Sequence, residues 1–178
     1  SIDPIENISI PEDTPLVTIP LSGITAGGGA DDQFNGGQQR VIYASTSLPF
    51  LTGIPLIQYN ADPMDQIGSL LIRPVKGAPV SITTLGDNEA TITVTIEDGG
   101  VDNVVGKSYD PTTGDVNITN FDATLDNIVR SREFRFTIIP VNDLPTIDDV
   151  QTAITNLAAV VQTPDLTITV VDPTQFPP

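Results

Sequence analysis

Apolar and polar residues alternate along several short segments of the chain. The clearest are "TITVTIED", beginning at Thr91, and "EFRFTIIPV", beginning at Glu133, and "RVIYAST" from Arg40 shows the same pattern. A period of two is typical of a β-strand with one buried face. The side chains predicted to be buried on these faces are Val41, Tyr43, Ile92, Val94, Ile96, Phe134, Phe136 and Ile138.

Shorter runs of branched apolar residues extend this pattern. "ENISI", "LVTIPL" and "SLLIRPV" each suit a short strand, and the 16 prolines and 14 glycines separate such runs with turns. The best helix candidate, residues 148–161, fits a strand nearly as well. Many short strands at regular spacing predict an all-β protein, specifically an antiparallel β-sandwich.

Two long inserts interrupt the strand pattern. Residues 23–39, "GITAGGGADDQFNGGQQ", are too rich in glycine for a strand. Residues 99–129 separate the two clearest strands, and their "DPTTGD" is a turn signal that predicts a small hairpin. Loops of this length are usually functional or mobile.

Composition restricts the possible chemistry. The formal net charge is −16, from 23 acidic and 7 basic residues, which argues against nucleic acid or an anionic membrane as a partner. Cysteine and histidine are absent, so usual zinc sites, cysteine nucleophiles and serine–histidine triads are excluded. Any metal must be held by oxygen, which favours calcium or magnesium. No apolar run is long enough to predict membrane insertion.

An enzyme is not indicated by any motif. We find no nucleophile with an activating base, and the "AGGG" segment lacks the Lys-Ser/Thr of a phosphate-binding loop. Paired carboxylates occur in glycosidases. Tryptophan is absent and aromatic residues make up only 5% of the chain, whereas carbohydrate sites usually present aromatic platforms. We therefore expect a non-enzymatic protein.

The chain begins to repeat itself near its end. "SIDPI" from Ser1 is matched by "TIDDV" from Thr146, directly after the segment "PVNDLP". Such a restart is typical of tandem modules. We predict one domain over residues 1–145, followed at 146–178 by a linker and a partial second repeat or donated strand.

Four segments carry a resemblance to a known family. They are "IPEDTPL", "SGITAGGG", "ATITVTIEDGG" and "FTIIPVNDLPTID", and their order covers nearly all of residues 1–146. The chain resembles the cadherin-like and immunoglobulin-like repeats of large bacterial and archaeal surface proteins, of the adhesin and S-layer type. The resemblance implies a seven-stranded sandwich in a head-to-tail array, with calcium bound at many junctions between repeats.

The resemblance also implies a set of calcium ligands. Glu12 corresponds to the glutamate after the family's first strand, and Asp87 and Glu89 to its Asp-Arg-Glu motif, in which Asn88 here replaces arginine. Asn142 and Asp143 correspond to the linker, with Asp148 or Asp149 from the next module. The alternative is that "NDLP" is only a turn capped by Asp143 and "GDNEA" only a hairpin loop.

A second acidic group is a weaker metal candidate. Asp98 and Asp102, with Asn103 and the pair Asp31 and Asp32, could line the opposite end of the sandwich. The competing interpretation is that Asp98-Gly99-Gly100 forms an ordinary turn.

These features predict an extracellular, cell-surface module that acts as a spacer stiffened by calcium, with neighbouring repeats or identical subunits as partners. The alternative is a subunit of an extracellular filament or surface layer, assembled by donation of a strand from residues 165–173, "DLTITVVDP". The triplets at Asn7 and Asn117 match the acceptor pattern for N-linked glycans.

Overall fold

A computed structural model describes residues 1–26, 37–60, 65–77, 88–121 and 127–141 of the chain. The chain divides into two units, Ser1–Val141 and Asn142–Pro178, and all described residues belong to the first. In chain order the described elements are β1 (Ile8–Pro11), β2 (Val17–Leu21), β3 (Arg40–Thr46), α1 (Pro49–Thr52), β4 (Leu56–Gln58), β5 (Gly68–Ile72), β6 (Glu89–Asp98), β7 (Lys107–Tyr109), β8 (Val116–Ile118) and β9 (Val129–Ile139).

The largest sheet has four strands in the order β1-β9-β6-β3. β9 and β3 both run antiparallel to β6, and Ile92 lies opposite Phe134. β1 is parallel to β9, with Ile10 opposite Ile138. The purely antiparallel pairing expected from the sequence is therefore wrong at this edge. The two strands are far apart in the chain, so no tight hairpin constrains their direction.

A second sheet has three antiparallel strands in the order β2-β5-β4. Its strands are short, and β4 contains only three residues. The insert at 99–129 contributes a separate hairpin of β7 and β8, which confirms the hairpin expected at "DPTTGD". Gly114 has a φ of +79° in the turn of this hairpin, a conformation that glycine adopts without strain.

One cluster of buried apolar side chains includes residues from both larger sheets. Leu21, Ile57 and Leu70 of the three-stranded sheet belong to the same cluster as Ile92 and Phe136 of the four-stranded sheet. Burial of the predicted apolar faces of β6 and β9 is confirmed. A shared core of this kind supplies most of the favourable free energy of folding.

The predicted face of β3 is partly wrong. Tyr43 is only half-buried, and the side chains of β3 in the core cluster are Ile42 and Ala44. Val41 is buried but lies outside that cluster. Both faces of this strand carry apolar residues, so period two alone does not say which one is the core face. The Tyr43 face instead lies against the insert, because Lys107 of β7 sits over the Tyr43 ring.

The described residues are thus almost entirely strands and connecting segments, which confirms the all-β class. Among them no helix is long and apolar enough to cross a membrane. The helix candidate at 148–161, the second repeat and the strand at 165–173 lie outside the described residues. The domain boundary at residue 145 remains a prediction.

Candidate functional site

Three chain segments reach the same end of the four-stranded sheet. β1 and β9 are parallel, so both finish there, and β6 is antiparallel to β9, so it begins there. This end of the sheet, hereafter the lower rim, carries Glu12 just after β1 and Glu89 as the first residue of β6. The topology therefore gives two of the sequence-predicted ligands a common location.

Glu12 joins the end of β1 to the end of β9. Its backbone N–H donates to the carbonyl of Ile139 at 3.1 Å, and its Oε1 accepts a hydrogen bond from the backbone N–H of Val141 at 2.8 Å. A carboxylate has about four acceptor sites on its two oxygens, so this bond leaves acceptor capacity for a cation. Asn142 is the residue after Val141 in the sequence.

Glu89 is held more loosely than Glu12. It lies opposite Thr137 of β9, and its Oε1 is 3.5 Å from Nε of Arg135. The two side chains are 36% and 67% exposed, so this ion pair contributes little to stability. Asn88, which stands where the resembled family has arginine, is fully buried.

The remaining predicted ligands of the lower rim, Asp87, Asn142 and Asp143, lie outside the described residues. Asp148 and Asp149, expected from the next module, lie outside them as well. Within the described ranges no group of three or more acidic side chains is close enough to hold a metal ion. The described part of the rim thus contributes Glu12 and Glu89, two of the five ligands expected from the sequence.

At the opposite end of β6, the acidic residues hold local backbone structure. Oδ1 of Asp98 accepts hydrogen bonds from the N–H groups of Gly100 at 3.1 Å and Ile128 at 2.9 Å. Oδ1 of Asp102 accepts one from Val104 at 2.9 Å, and Oδ1 of Asn103 accepts one from Gln39 at 2.7 Å. These hydrogen bonds show that the three side chains stabilise the backbone of turns and loops. Asp31 and Asp32 lie outside the described residues.

The two predicted glycan acceptors are on the surface. Asn117 is exposed on β8, and Asn7 is exposed just before β1. Oδ1 of Asn7 accepts a hydrogen bond from the backbone N–H of Arg135 at 2.9 Å. An N-linked glycan attaches to asparagine at Nδ2, whereas this hydrogen bond uses Oδ1.

A buried polar cluster lies where the insert meets the four-stranded sheet. Glu97, near the end of β6, is fully buried. Its Oε2 is 2.5 Å from Nζ of Lys107, and its Oε1 accepts hydrogen bonds from Nδ2 of Asn127 and the N–H of Gly106, each at 2.9 Å. Nζ of Lys107 also donates to the hydroxyl of Tyr43 at 3.3 Å.

The charges of this cluster depend on one another. Burial alone would raise the pKa of Glu97, but the hydrogen bonds from Lys107, Asn127 and Gly106 outweigh burial and hold the pKa below its ordinary 4.5. Burial likewise opposes the charge of Lys107, yet Glu97 and Tyr43 together raise the pKa of the amine above 10.5. Removing one member of a buried ion pair typically costs about 3–5 kcal/mol, because its partner is left uncompensated.

No protein-family model matches the chain, and no curated protein matches it in sequence. Function is therefore inferred from the residues, from their geometry and from the resemblance noted above.

The Glu97 cluster was not predicted from the sequence. Glu97 follows the threonines on the face of "TITVTIED" that lies opposite the apolar face predicted to be buried. The sequence feature that pointed to this cluster is Lys107, a basic residue within the long insert of a chain that has only 7 basic residues. An insert of this length can cover the outer face of the sheet, and an acidic residue beneath it then needs a basic partner.

Proposed function

We propose that the chain is a non-enzymatic structural module of an extracellular surface protein, stiffened by calcium at its lower rim. The module is a β-sandwich built from the four-stranded and three-stranded sheets. Support comes from the side chains that both sheets contribute to one core cluster. Among the described residues, seven strands form these two sheets, with the β7–β8 hairpin as an insert, which agrees with the seven-stranded repeats that the chain resembles.

The observation that carries the proposal is the position of Glu12. Its carboxylate binds the backbone of Val141, the residue directly before Asn142 and Asp143, and Glu89 begins β6 at the same end of the sheet. Calcium takes about six to eight oxygen ligands, several of them from carboxylates. Glu12, Asp87, Glu89, Asn142 and Asp143 would supply such a set. Asp98 and Asp102 form a weaker second candidate.

Calcium would serve a mechanical purpose in such a module. Without a cation, clustered carboxylates repel one another, and a chain with a net charge of −16 has little basic charge to offset that repulsion. A bound divalent ion would replace repulsion with shared coordination. The segment that follows Val141 would then be fixed to the first unit, so that successive modules act as a stiff spacer.

Thermal unfolding tests the calcium site. The full chain is freed of metal by chelation, and its melting temperature is followed by circular dichroism as calcium is added to millimolar concentration. We expect the temperature to rise, because an ion that binds only the folded state stabilises it by about 2.7 kcal/mol at a hundredfold excess over Kd. Magnesium, which prefers a tighter octahedral site, should give a smaller rise.

A pair of charge-matched variants separates binding from general screening. The double variant Glu12→Gln/Glu89→Gln removes two charges at the lower rim, and we expect it to lose most of the calcium response. Glu6→Gln/Glu133→Gln removes the same charge from two exposed positions that precede β1 and lie within β9, and should keep the response. A melting temperature that does not change with calcium in the unmodified chain would contradict the proposal.

A further inference from the structure

The carboxylate of Glu97 lies between a primary amine and a carboxamide. One oxygen, Oε2, bonds Nζ of Lys107 at 2.5 Å, and the other, Oε1, bonds Nδ2 of Asn127 at 2.9 Å. The reacting atoms of a productive encounter lie about 3–3.5 Å apart. Because both nitrogens bond the same carboxyl group, the amine of Lys107 and the carboxamide of Asn127 are held next to each other.

The surroundings of these three groups restrict water. Glu97 is fully buried, and the side chain of Lys107 is 22% exposed, with Nζ 5.4 Å from the centre of the Tyr43 ring. Nδ2 of Asn127 also donates to the carbonyl of Val104 at 3.2 Å. Oδ1 of Asn127 is buried, and within the described part of the chain it accepts no hydrogen bond. The carbonyl of this amide is therefore available to a new donor.

We propose that Lys107 and Asn127 become joined by an intramolecular amide bond, with Glu97 as the group that transfers protons between them. A carboxyl in contact with both the nucleophile and the leaving group can act first as a base and then as an acid. The site is independent of the calcium proposal, because none of its three residues lies at the lower rim.

The reaction balances without an external reagent. Nζ of Lys107, as the neutral amine, forms a bond to Cγ of Asn127, and negative charge develops on Oδ1. The bond from Cγ to Nδ2 then breaks as the proton that Nζ loses passes through the Glu97 carboxyl to Nδ2, which leaves as ammonia. The product is a secondary amide between Cγ and Nζ. Neither carbon nor nitrogen changes oxidation state, so no oxidant or reductant is needed.

Glu97 would supply the proton movements that this reaction needs. In the ion pair the proton is on Lys107, and the 2.5 Å contact with Oε2 gives it a direct path to the carboxylate. Transfer yields a neutral amine and a neutral carboxyl, a pair that low-dielectric surroundings penalise less than isolated charges. The carboxyl is then a donor, and half a turn of the Asn127 carboxamide would let Oδ1 accept its hydrogen. That bond would stabilise the charge that develops on Oδ1.

The bond would close the base of the insert. Lys107 opens β7 and Asn127 precedes β9, so a link between them joins the two ends of the segment that carries the β7–β8 hairpin. Such a ring restricts the unfolded chain in the same way that a disulfide does. The chain has no cysteine, so disulfides cannot supply such a link.

Intact mass spectrometry of the purified full chain tests the proposal. We expect most molecules to be lighter than the sequence mass by one ammonia. Lys107→Arg keeps the positive charge beside Glu97 but presents a guanidinium that is not nucleophilic, and Glu97→Gln keeps the shape but cannot act as a base. Both variants should retain the full sequence mass. Circular dichroism confirms that each variant is folded before it is compared.

Peptide mapping locates the bond. Trypsin cannot cleave after an acylated lysine, so residues 77–130 should remain one tryptic peptide. Further cleavage after Tyr109 and Phe121 should leave the fragment that contains Lys107 attached to the fragment that contains Asn127. Succinimide formation at Asn35-Gly36 also expels ammonia, but it would occur equally in Lys107→Arg. Full sequence mass in the unmodified folded chain, or an ammonia loss that persists in Lys107→Arg without joined fragments, would overturn the proposal.

Discussion

Single polar side chains attach the insert to the rest of the protein. Tyr109 of β7 is a clear case, because its hydroxyl accepts a hydrogen bond from the backbone N–H of Ile57 at 2.6 Å. Ile57 lies in β4, which is an edge of the three-stranded sheet among the described strands, and its N–H bonds the tyrosine rather than a strand. The tyrosine thus satisfies a donor that an edge strand otherwise leaves to water.

Replacing Tyr109 by phenylalanine should destabilise the fold measurably. The change keeps the ring and removes the acceptor, which leaves the partly buried N–H of Ile57 unpaired at a cost of about 1–3 kcal/mol. Urea unfolding followed by circular dichroism measures the difference in free energy. Equal stability of the variant and the parent would show that water replaces the hydroxyl at no cost.

Tyr109 should also make stability depend on alkaline pH. Burial raises the pKa of its hydroxyl above the ordinary 10.0, with a smaller contribution from Asp110, while the bond from Ile57 opposes the shift. The folded state therefore holds the phenolic proton more tightly than the unfolded state. The stabilisation that Tyr109 gains from this raised pKa is complete below pH 10.0 and is lost as the pH rises through the pKa of the folded state.

Absorbance titration can detect this group, because the chain has 3 tyrosines and no tryptophan. We expect one tyrosine of the folded protein to ionise later than a free phenol, and the late step to be missing in Tyr109→Phe. A late step that survives the substitution would assign the shift to another tyrosine.

At the scale of elements, strands with one apolar face were predictable and strands with two were not. β6 and β9 alternate apolar with polar or charged residues, so one face of each is defined by sequence. β3 places Val41, Ile42, Tyr43 and Ala44 in succession, and only the position of the insert decides which pair faces the core. β4 and α1 are too short to produce a periodic signal, and neither was predicted.

The face of β9 can be tested with neighbouring isoleucines. Ile138 is 1% exposed and Ile139 is 50% exposed on the same strand. Ile138→Ala should lower the free energy of unfolding by about 2–5 kcal/mol through lost burial and a cavity. Ile139→Ala makes the same chemical change on the outer face and should stay within about 0.5 kcal/mol. Denaturant midpoints of the two variants give the comparison, and similar losses would contradict the register of β9 against β6.

At the scale of the whole molecule, the sequence indicated residues of the lower rim but not how they come together. The ends of β1 and β9 and the start of β6 meet because β1 is parallel to β9, a pairing between segments more than a hundred residues apart. No local pattern encodes such a contact. Glu12 and Glu89 were singled out through the family resemblance, and the sheet order gives a physical reason for their common location. Glu97, Lys107 and Asn127 belong to no motif, so only the folded chain brings them together.

The last prediction separates a tandem spacer from a filament subunit. Among the described residues, the core cluster of the first unit is formed by side chains between Ile2 and Ile138. The segment 146–178 holds branched apolar residues, among them Leu166, Ile168 and Val170, whose exposure costs about 25 cal/mol per Å². Addition to a neighbouring sheet would satisfy their backbone and their side chains together.

Deleting residues 165–178 should therefore leave the thermal transition of the first unit unchanged and remove any polymer that the intact chain forms. Circular dichroism measures the first outcome, and sedimentation velocity of both chains at matched concentrations measures the second. Polymers that persist in the shortened chain would rule out strand donation, because the donated strand is absent. In that case the tandem spacer would remain, with its stiffness set by calcium at the lower rim rather than by exchange of strands between copies.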